Sequence, residues 1–256
     1  MMAKAHFTIS LILTAVLINI TLFSTSVAVG ETTTTKKWDS REIDIKKKFY
    51  IDTDTGEPFN GRVTEVTEKK IEKPKTKFQK ILSSRKLKTT REGDVRNGLR
   101  EGLWKFTFDV FSVNEVTYKA GVLHGPSRMY MGGKILSEQN YVEGQLDGKS
   151  ISYDVITGQI KSETNYKNDR EHGSYKMYRP DGQLWSFKTY KHGALHGPAT
   201  RYHENGEVTE QGNYKNGKKD GPWIIILRGA EKRWAETRNY KNGELVPGSW
   251  RQELID

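Results

Sequence analysis

The chain repeats one phrase every two dozen residues, and that period limits what it can fold into. The phrase reads Tyr118-Lys-Ala-Gly-Val-Leu-His-Gly125, then Tyr141 to Gly148, Tyr166 to Gly173, Tyr190 to Gly197 and Tyr214 to Gly221. A looser copy runs from Tyr240 to Gly248. The tyrosines step by 23, 25, 24, 24 and 26 residues. A fixed period of this length marks a repeat array, in which each unit buries its apolar side against its neighbours.

Two turn positions recur in each period. The first lies inside the phrase. Asn216-Gly217 and Asn242-Gly243 are type I′ hairpin sequences, and Ala120-Gly121, Glu143-Gly144, Asn168-Asp169 and His192-Gly193 fill the same place. The second follows the closing glycine (Gly125, Gly148, Gly173, Gly197, Gly221) by about nine residues. It reads Gly132-Gly133, Thr157-Gly158, Asp181-Gly182, Asn205-Gly206 and Arg228-Gly229. Two short strands fit between the turns. One is expected to start after the closing glycine and end on Tyr130, Tyr153, Tyr178, Tyr202 or Ile226. The other leads into the next tyrosine, with Ile135, Ile160, Leu184, Val208 or Trp234 six residues before it. Six is an even offset, so both residues share one face of a strand. The pattern predicts an all-β fold, an elongated antiparallel hairpin array forming a thin sheet with one wet face. The 34% hydrophobic content fits that better than a two-layer globule.

Outside the array, Lys4 and the apolar run from Phe7 to Phe23 precede Ala28-Val29-Gly30, the pattern of a signal peptide over residues 1–30. Residues 31–48 read as a polar linker. Residues 49–94 read as a divergent first repeat carrying a basic insertion at 67–94, with room for a short helix around Lys77 to Leu87. The regular array is expected over 95–250, closed by Trp250 or by the tail 251–256. The chain has no cysteine, which excludes disulfides, thiolate metal sites and a lipid anchor built on cysteine. The expected location is exported, periplasmic or secreted, or membrane-anchored where the signal is retained.

The net charge is +10. From Arg62 to Glu101 there are 13 Lys/Arg against six Asp/Glu, so much of the excess falls in one stretch. Lys69, Lys70, Lys73, Lys75, Lys77, Arg85, Lys86, Lys88 and Arg91 could dock on an anionic lipid or polysaccharide surface. The simpler reading is a solvated charged insertion.

No catalytic constellation emerges. His124, His172 and His196 share one slot with Asp147 and Asp220, but equivalent slots lie two strands apart, about 9.5 Å, too far to share one metal. Of the histidines, only His192 and His196 are spaced to meet across a turn. Glu138 and Glu163 share a slot that Gln211 and Thr237 fill later, so the repeat explains them better than glycoside hydrolysis does. No nucleophile elbow, phosphate loop or zinc-protease motif is present. The expectation is a non-enzyme without cofactor or metal. The tyrosine ladder (Tyr118, Tyr141, Tyr166, Tyr190, Tyr214, Tyr240) reads as the core of a thin sheet. Trp104, Trp185 and Trp223 fall outside the tyrosine slots and are expected at an exposed binding surface.

The phrase Tyr-x-x-Gly-x-x-His/Asp-Gly, followed by a tyrosine and a second Asn/Asp-Gly turn, resembles the MORN repeat and its bacterial variant. Tyr190 to Gly206 and Tyr214 to Trp223 are the best copies. The resemblance covers roughly residues 95–250. It implies a scaffold or interaction module with no catalytic residues, and some bacterial relatives carry a YwqK-type antitoxin label. The apolar run Ile224-Ile225-Ile226-Leu227 and the basic insertion depart from the family pattern. Three readings follow: an exported scaffold binding a protein partner, an anionic-surface binder, and an antitoxin or immunity-type inhibitor. Nucleic acid is the least favoured partner, and unpaired sheet edges open a route to a homodimer.

Overall fold

The computed structural model describes residues 43–44, 49–52, 55–69, 87–229 and 232–255. The expected signal, nearly all of the linker and residues 70–86 of the basic insertion lie outside them, with most of the expected helix; Leu87 itself begins a strand. The described chain is all-β, with nineteen strands and no helix. It divides into two units. The first contains the described residues up to Val122 with Met129–Gly133, and the second contains Leu123–Arg128 and the residues from Lys134 onward.

In the first unit, β1 (Ile43–Asp44) pairs with β2 (Phe49–Tyr50). Strands β3 (Gly61–Lys69), β4 (Leu87–Arg96), β5 (Leu99–Phe108) and β6 (Ser112–Lys119) pair antiparallel in chain order. Residues 67–69 and 87–94, read from sequence as insertion, are therefore paired strand. Strand β7 (Val122–Met131) has residues in both units.

In the second unit, β8 (Lys134–Val142) pairs with β9 (Gln145–Leu146) and β10 (Gly148–Tyr153). The meander continues through β11 (Ile160–Lys167), β12 (Arg170–Tyr178), β13 (Leu184–Lys191) and β14 (Ala194–Tyr202). It then runs through β15 (Val208–Lys215), β16 (Lys218–Arg228) and β17 (Arg233–Lys241). Strands β18 (Glu244–Leu245) and β19 (Arg251–Leu254) both pair with β17. The tail therefore supplies the last paired strand, while Trp250 stays exposed.

The turn chemistry explains the hairpins. At each phrase turn both central residues have positive φ, as at Asn216 (51°) and Gly217 (83°), or His192 (53°) and Gly193 (85°). That is the type I′ geometry whose twist matches the flanking strands. Asn97-Gly98 adds a further copy that the phrase does not mark. Each of these turns also bonds sideways. Its second residue donates its N–H to the carbonyl two residues before the closing glycine of the previous hairpin. Gly121 donates to Arg100, Gly144 to Leu123, Gly193 to Glu171, Gly217 to Leu195 and Gly243 to Lys219, each at 2.8 Å. The second turn position varies more. Gly158, Gly182 and Gly206 have positive φ, but Gly229 does not, and there β16 and β17 stay in register to Arg228↔Arg233.

The closing glycines lie at breaks or bulges rather than at clean strand starts. Gly173 and Gly197 have φ of 97° and 96°, and the pairing shifts register opposite them. An extra residue in left-handed geometry is the usual demand of such a bulge. At three of these sites the residue before the tyrosine ties the chain down. Asn165 Nδ2 donates to the Ser174 carbonyl at 3.1 Å, Asn140 Nδ2 to Asp147 at 2.9 Å, and the Thr189 hydroxyl to Pro198 at 3.0 Å.

Trp104 and Trp223 replace this device, and the structure corrects the expectation that they are exposed. Trp104 is 0% and Trp223 2% exposed. Each indole lies against a glycine of the neighbouring strand, Gly93 for Trp104 and Gly212 for Trp223. A Cβ built on either glycine would fall within 2.5 Å of the ring. Each indole N–H then donates to a bulge carbonyl, Trp104 to Asp94 at 2.8 Å and Trp223 to Asn213 at 3.0 Å. A basic side chain covers each ring from two residues before the closing glycine. Arg100 sits 4.5 Å from the Trp104 centroid and Lys219 sits 3.9 Å from that of Trp223. In the first unit Tyr50, Phe59, Val95 and Trp104 form the core, with Val63, Phe106 and Tyr118 packed on it.

Gly212→Ala should destabilise the second unit by about 1–3 kcal/mol, because the indole cannot move aside as a flexible chain would. Chemical denaturation measures this, and an unchanged midpoint would contradict the packing. A pH dependence follows from Tyr50. Burial, then the Glu65 carboxylate, push its phenol up to about 12, against the opposing Arg100 guanidinium. The unfolded phenol loses its proton near pH 10, so the stabilising contribution is complete below that value. It is lost as pH rises from about 10 to 12, at up to about 1.4 kcal/mol per unit. Stability of Tyr50→Phe should fall less steeply over that window, read by denaturation at pH 9, 10, 11 and 12.

Candidate interaction surface

Residues paired directly across antiparallel strands share a face, so the register sorts the second unit into two sides. Gly148 faces Tyr166, Gly173 faces Tyr190, Gly197 faces Tyr214 and Gly221 faces Tyr240. Tyr175 faces Thr164 on one side and Lys188 on the other. One side of the sheet therefore carries Tyr166, Tyr175, Tyr190, Tyr214 and Tyr240, as the repeat predicts. Tyr175 and Tyr190 meet edge to face at 6.2 Å, and Tyr214 meets Trp223 at 5.0 Å. The rings are half-buried, and no second layer covers them among the described residues. Burial pushes the Tyr166, Tyr175 and Tyr190 phenols above their ordinary range, so this face presents neutral hydroxyls.

The same face carries charge in cross-strand rows. One row reads Lys188, Ala199, Gly212, and the neighbouring row reads Ser186, Arg201, Glu210, Ile225, Glu236. Glu210 is shared by two cations, Lys219 at 2.8 Å and Arg201 at 3.7 Å. Surface pairs of this kind contribute about 0–1 kcal/mol each, so they orient the side chains more than they hold the fold. A small cavity lies over this patch, lined among others by Ser186, Lys188, Ala199, Arg201, Tyr214 and Trp223.

The opposite face holds the strand-end tyrosines. The Tyr153 hydroxyl donates to Glu138 at 3.1 Å, Glu138 also pairs with Arg128 at 3.0 Å, and Glu163 pairs with Lys149 at 3.1 Å. In the first unit the Tyr130 hydroxyl donates to Glu115 at 3.3 Å. The recurring glutamate slot thus serves tyrosine and lysine partners. The slot before the closing glycine supports the neighbouring turn. Glu101 accepts from the Ala120 N–H at 2.8 Å, Asp220 from Asn242 at 3.4 Å, and His196 from Asn216 at 3.5 Å. His192 meets His172 with rings 5.0 Å apart, a pairing across hairpins that the spacing of His192 and His196 did not anticipate.

The other residues expected at a binding surface are scattered. Trp185 is half-buried on the side opposite Ser186, with the Arg179 guanidinium 6.0 Å from its ring. Lys70, Lys73, Lys75, Lys77, Arg85 and Lys86 lie outside the described residues, and Lys69 ends β3. Lys88 is exposed on β4, and Arg91 pairs with Glu65 at 3.4 Å. The patch around Glu210 was missed from sequence. A charge count over the array itself would have drawn attention to it, since Leu184 to Lys241 holds 11 Lys/Arg against six Asp/Glu.

Comparison with known proteins agrees with this geometry. Residues 171–192 and 195–216 match the family model of the MORN repeat variant. No curated protein matches the chain. The two matched segments cover β12 to the turn before β14 and then β14 to the turn before β16, one hairpin period each. The stretch from Glu171 to Asn216 thus carries two consecutive copies of the MORN repeat variant.

Proposed function

We propose that this protein is a non-enzymatic, exported interaction scaffold whose tyrosine face, in the second unit, receives a protein partner. The observation that carries the reading is the uncovered row of half-buried rings from Tyr166 to Tyr240 on one side of a hairpin array. Rigid tyrosines bring large contact area at low entropic cost and keep a polar tip for hydrogen bonding. Their sheet is held by backbone pairing, so the face is set before the partner arrives. Export rests on the Lys4 to Gly30 pattern alone.

Site-specific photo-crosslinking tests this in the native cells. A photoreactive residue in place of Tyr190 should yield one dominant protein adduct, and the same residue in place of Lys176, on the opposite face, should not. Adducts of equal yield from both sites, or none from Tyr190, would overturn the assignment. The partner's identity then separates a structural scaffold from an inhibitor that neutralises a toxin.

A further inference from the structure

The proposed face has a chemical bias that the repeat pattern does not require. On it, Arg201 and Lys219 share the single carboxylate of Glu210, at 3.7 and 2.8 Å. Lys188 stands one row away, directly across from Ala199, and makes no ion pair among the described residues. Lys188, Arg201 and Glu210 all line one small notch, so at its wall two cations meet one carboxylate that Lys219 already shares. Ala199 is small and buried, which leaves a notch beside the cations. Ser186 is also buried and brings a hydroxyl donor to its wall.

The size of the notch decides what it can take. Its volume is about 50 Å³. Sites for metabolites or drug-sized ligands occupy roughly 300–1,000 Å³, so the notch does not enclose a ligand of that size. One water needs about 10–15 Å³ of such volume, so a group of a few heavy atoms, the size of a carboxylate, fits. On the scaffold reading, such a group is the tip of a partner segment whose remainder rests on the tyrosines. A carboxylate complements the excess positive charge at the notch, accepts from lysine, guanidinium and hydroxyl donors at once, and needs no further depth.

Resting on the scaffold reading above, we infer that the partner segment bound by the tyrosine face is acidic, and that an Asp or Glu carboxylate of it seats between Lys188 and Arg201. Glu210 is the internal competitor. It holds Arg201 and Lys219 in place before binding and yields part of their hydrogen-bonding capacity to the incoming carboxylate. Trp223, packed on Gly212, fixes the far wall and keeps the notch from collapsing.

The test uses the full chain and a fluorescein-labelled hexaglutamate peptide, read by anisotropy at low salt. Hexaglutamine and vesicles of phosphatidylglycerol in phosphatidylcholine are the comparison probes. Hexaglutamate should bind and hexaglutamine should not. The pair K188Q/R201Q should weaken hexaglutamate binding about tenfold or more, as loss of close charge partners does. The variant K176Q, which removes one charge from the opposite face, should change it less than twofold. Three results would overturn the inference: no binding of hexaglutamate, equal weakening by K176Q, or vesicle binding that depends on Lys188 while the peptide does not bind. Circular dichroism of each variant excludes unfolding as the cause. If hexaglutamate fails while Tyr190 still crosslinks a partner, the acidic assignment falls and the scaffold reading stands. If both fail, the face itself has been misassigned.

Discussion

The sideways hydrogen bond from each type I′ turn to the previous hairpin is the constraint on which the array depends. A hairpin alone is marginal in water, because two strands bury too little apolar surface. Here the left-handed turn directs one N–H out of its own hairpin and into the neighbour, as from Gly193 to Glu171 and from Gly217 to Leu195. The left-handed geometry is thus used twice, once to reverse the chain and once to join the copies. It also explains why Ala120, Glu143 and His192 accept positive φ, which costs a side-chain-bearing residue energy that Asn and Gly largely avoid. The adjoining copy holds them there.

With backbone bonds supplying continuity, the side chains have freedom to differ. Among the described residues few are fully buried, and the largest of them, Trp104 and Trp223, are the exceptions to the repeat rather than its rule. Their indoles replace the Asn140, Asn165 and Thr189 side chains that tie down the ordinary bulges. The tyrosine face is left half-solvated, and its charges can drift from copy to copy without loss of fold. That freedom allows the cations around Glu210 to outnumber the carboxylates.

Much of this was legible in the sequence. The period placed the tyrosines on one face, and the dipeptides Asn216-Gly217 and Asn242-Gly243 placed the hairpins, because both follow from local backbone preference. The tryptophans were misplaced because their environment is set by a different strand. A glycine eleven residues upstream, Gly93 or Gly212, was the available sign, and it acts through space rather than along the chain. The patch around Lys188, Arg201 and Glu210 was invisible for a related reason. Its members come from three strands, and only the register brings them to adjacent rows of one face. Counting charge along the chain pointed instead to Arg62–Glu101, where Arg91 is engaged with Glu65 and most of the lysines lie outside the described residues.

The partnership of Gly212 with Trp223, and of Gly93 with Trp104, bears on how such an array can grow. Both members of each pair belong to one hairpin, β15–β16 in the second unit and β4–β5 in the first, joined by its type I′ turn. A duplication that begins and ends in the looser turns, such as His203–Glu207, copies a large residue together with the gap that receives it. One that begins at the tyrosine phrase separates them, leaving a ring without a hollow in one copy and a hollow without a ring in the other. The unit that can be copied whole is thus the hairpin, which starts nine residues before the tyrosine of the phrase that the eye finds first, as Asn205 does before Tyr214.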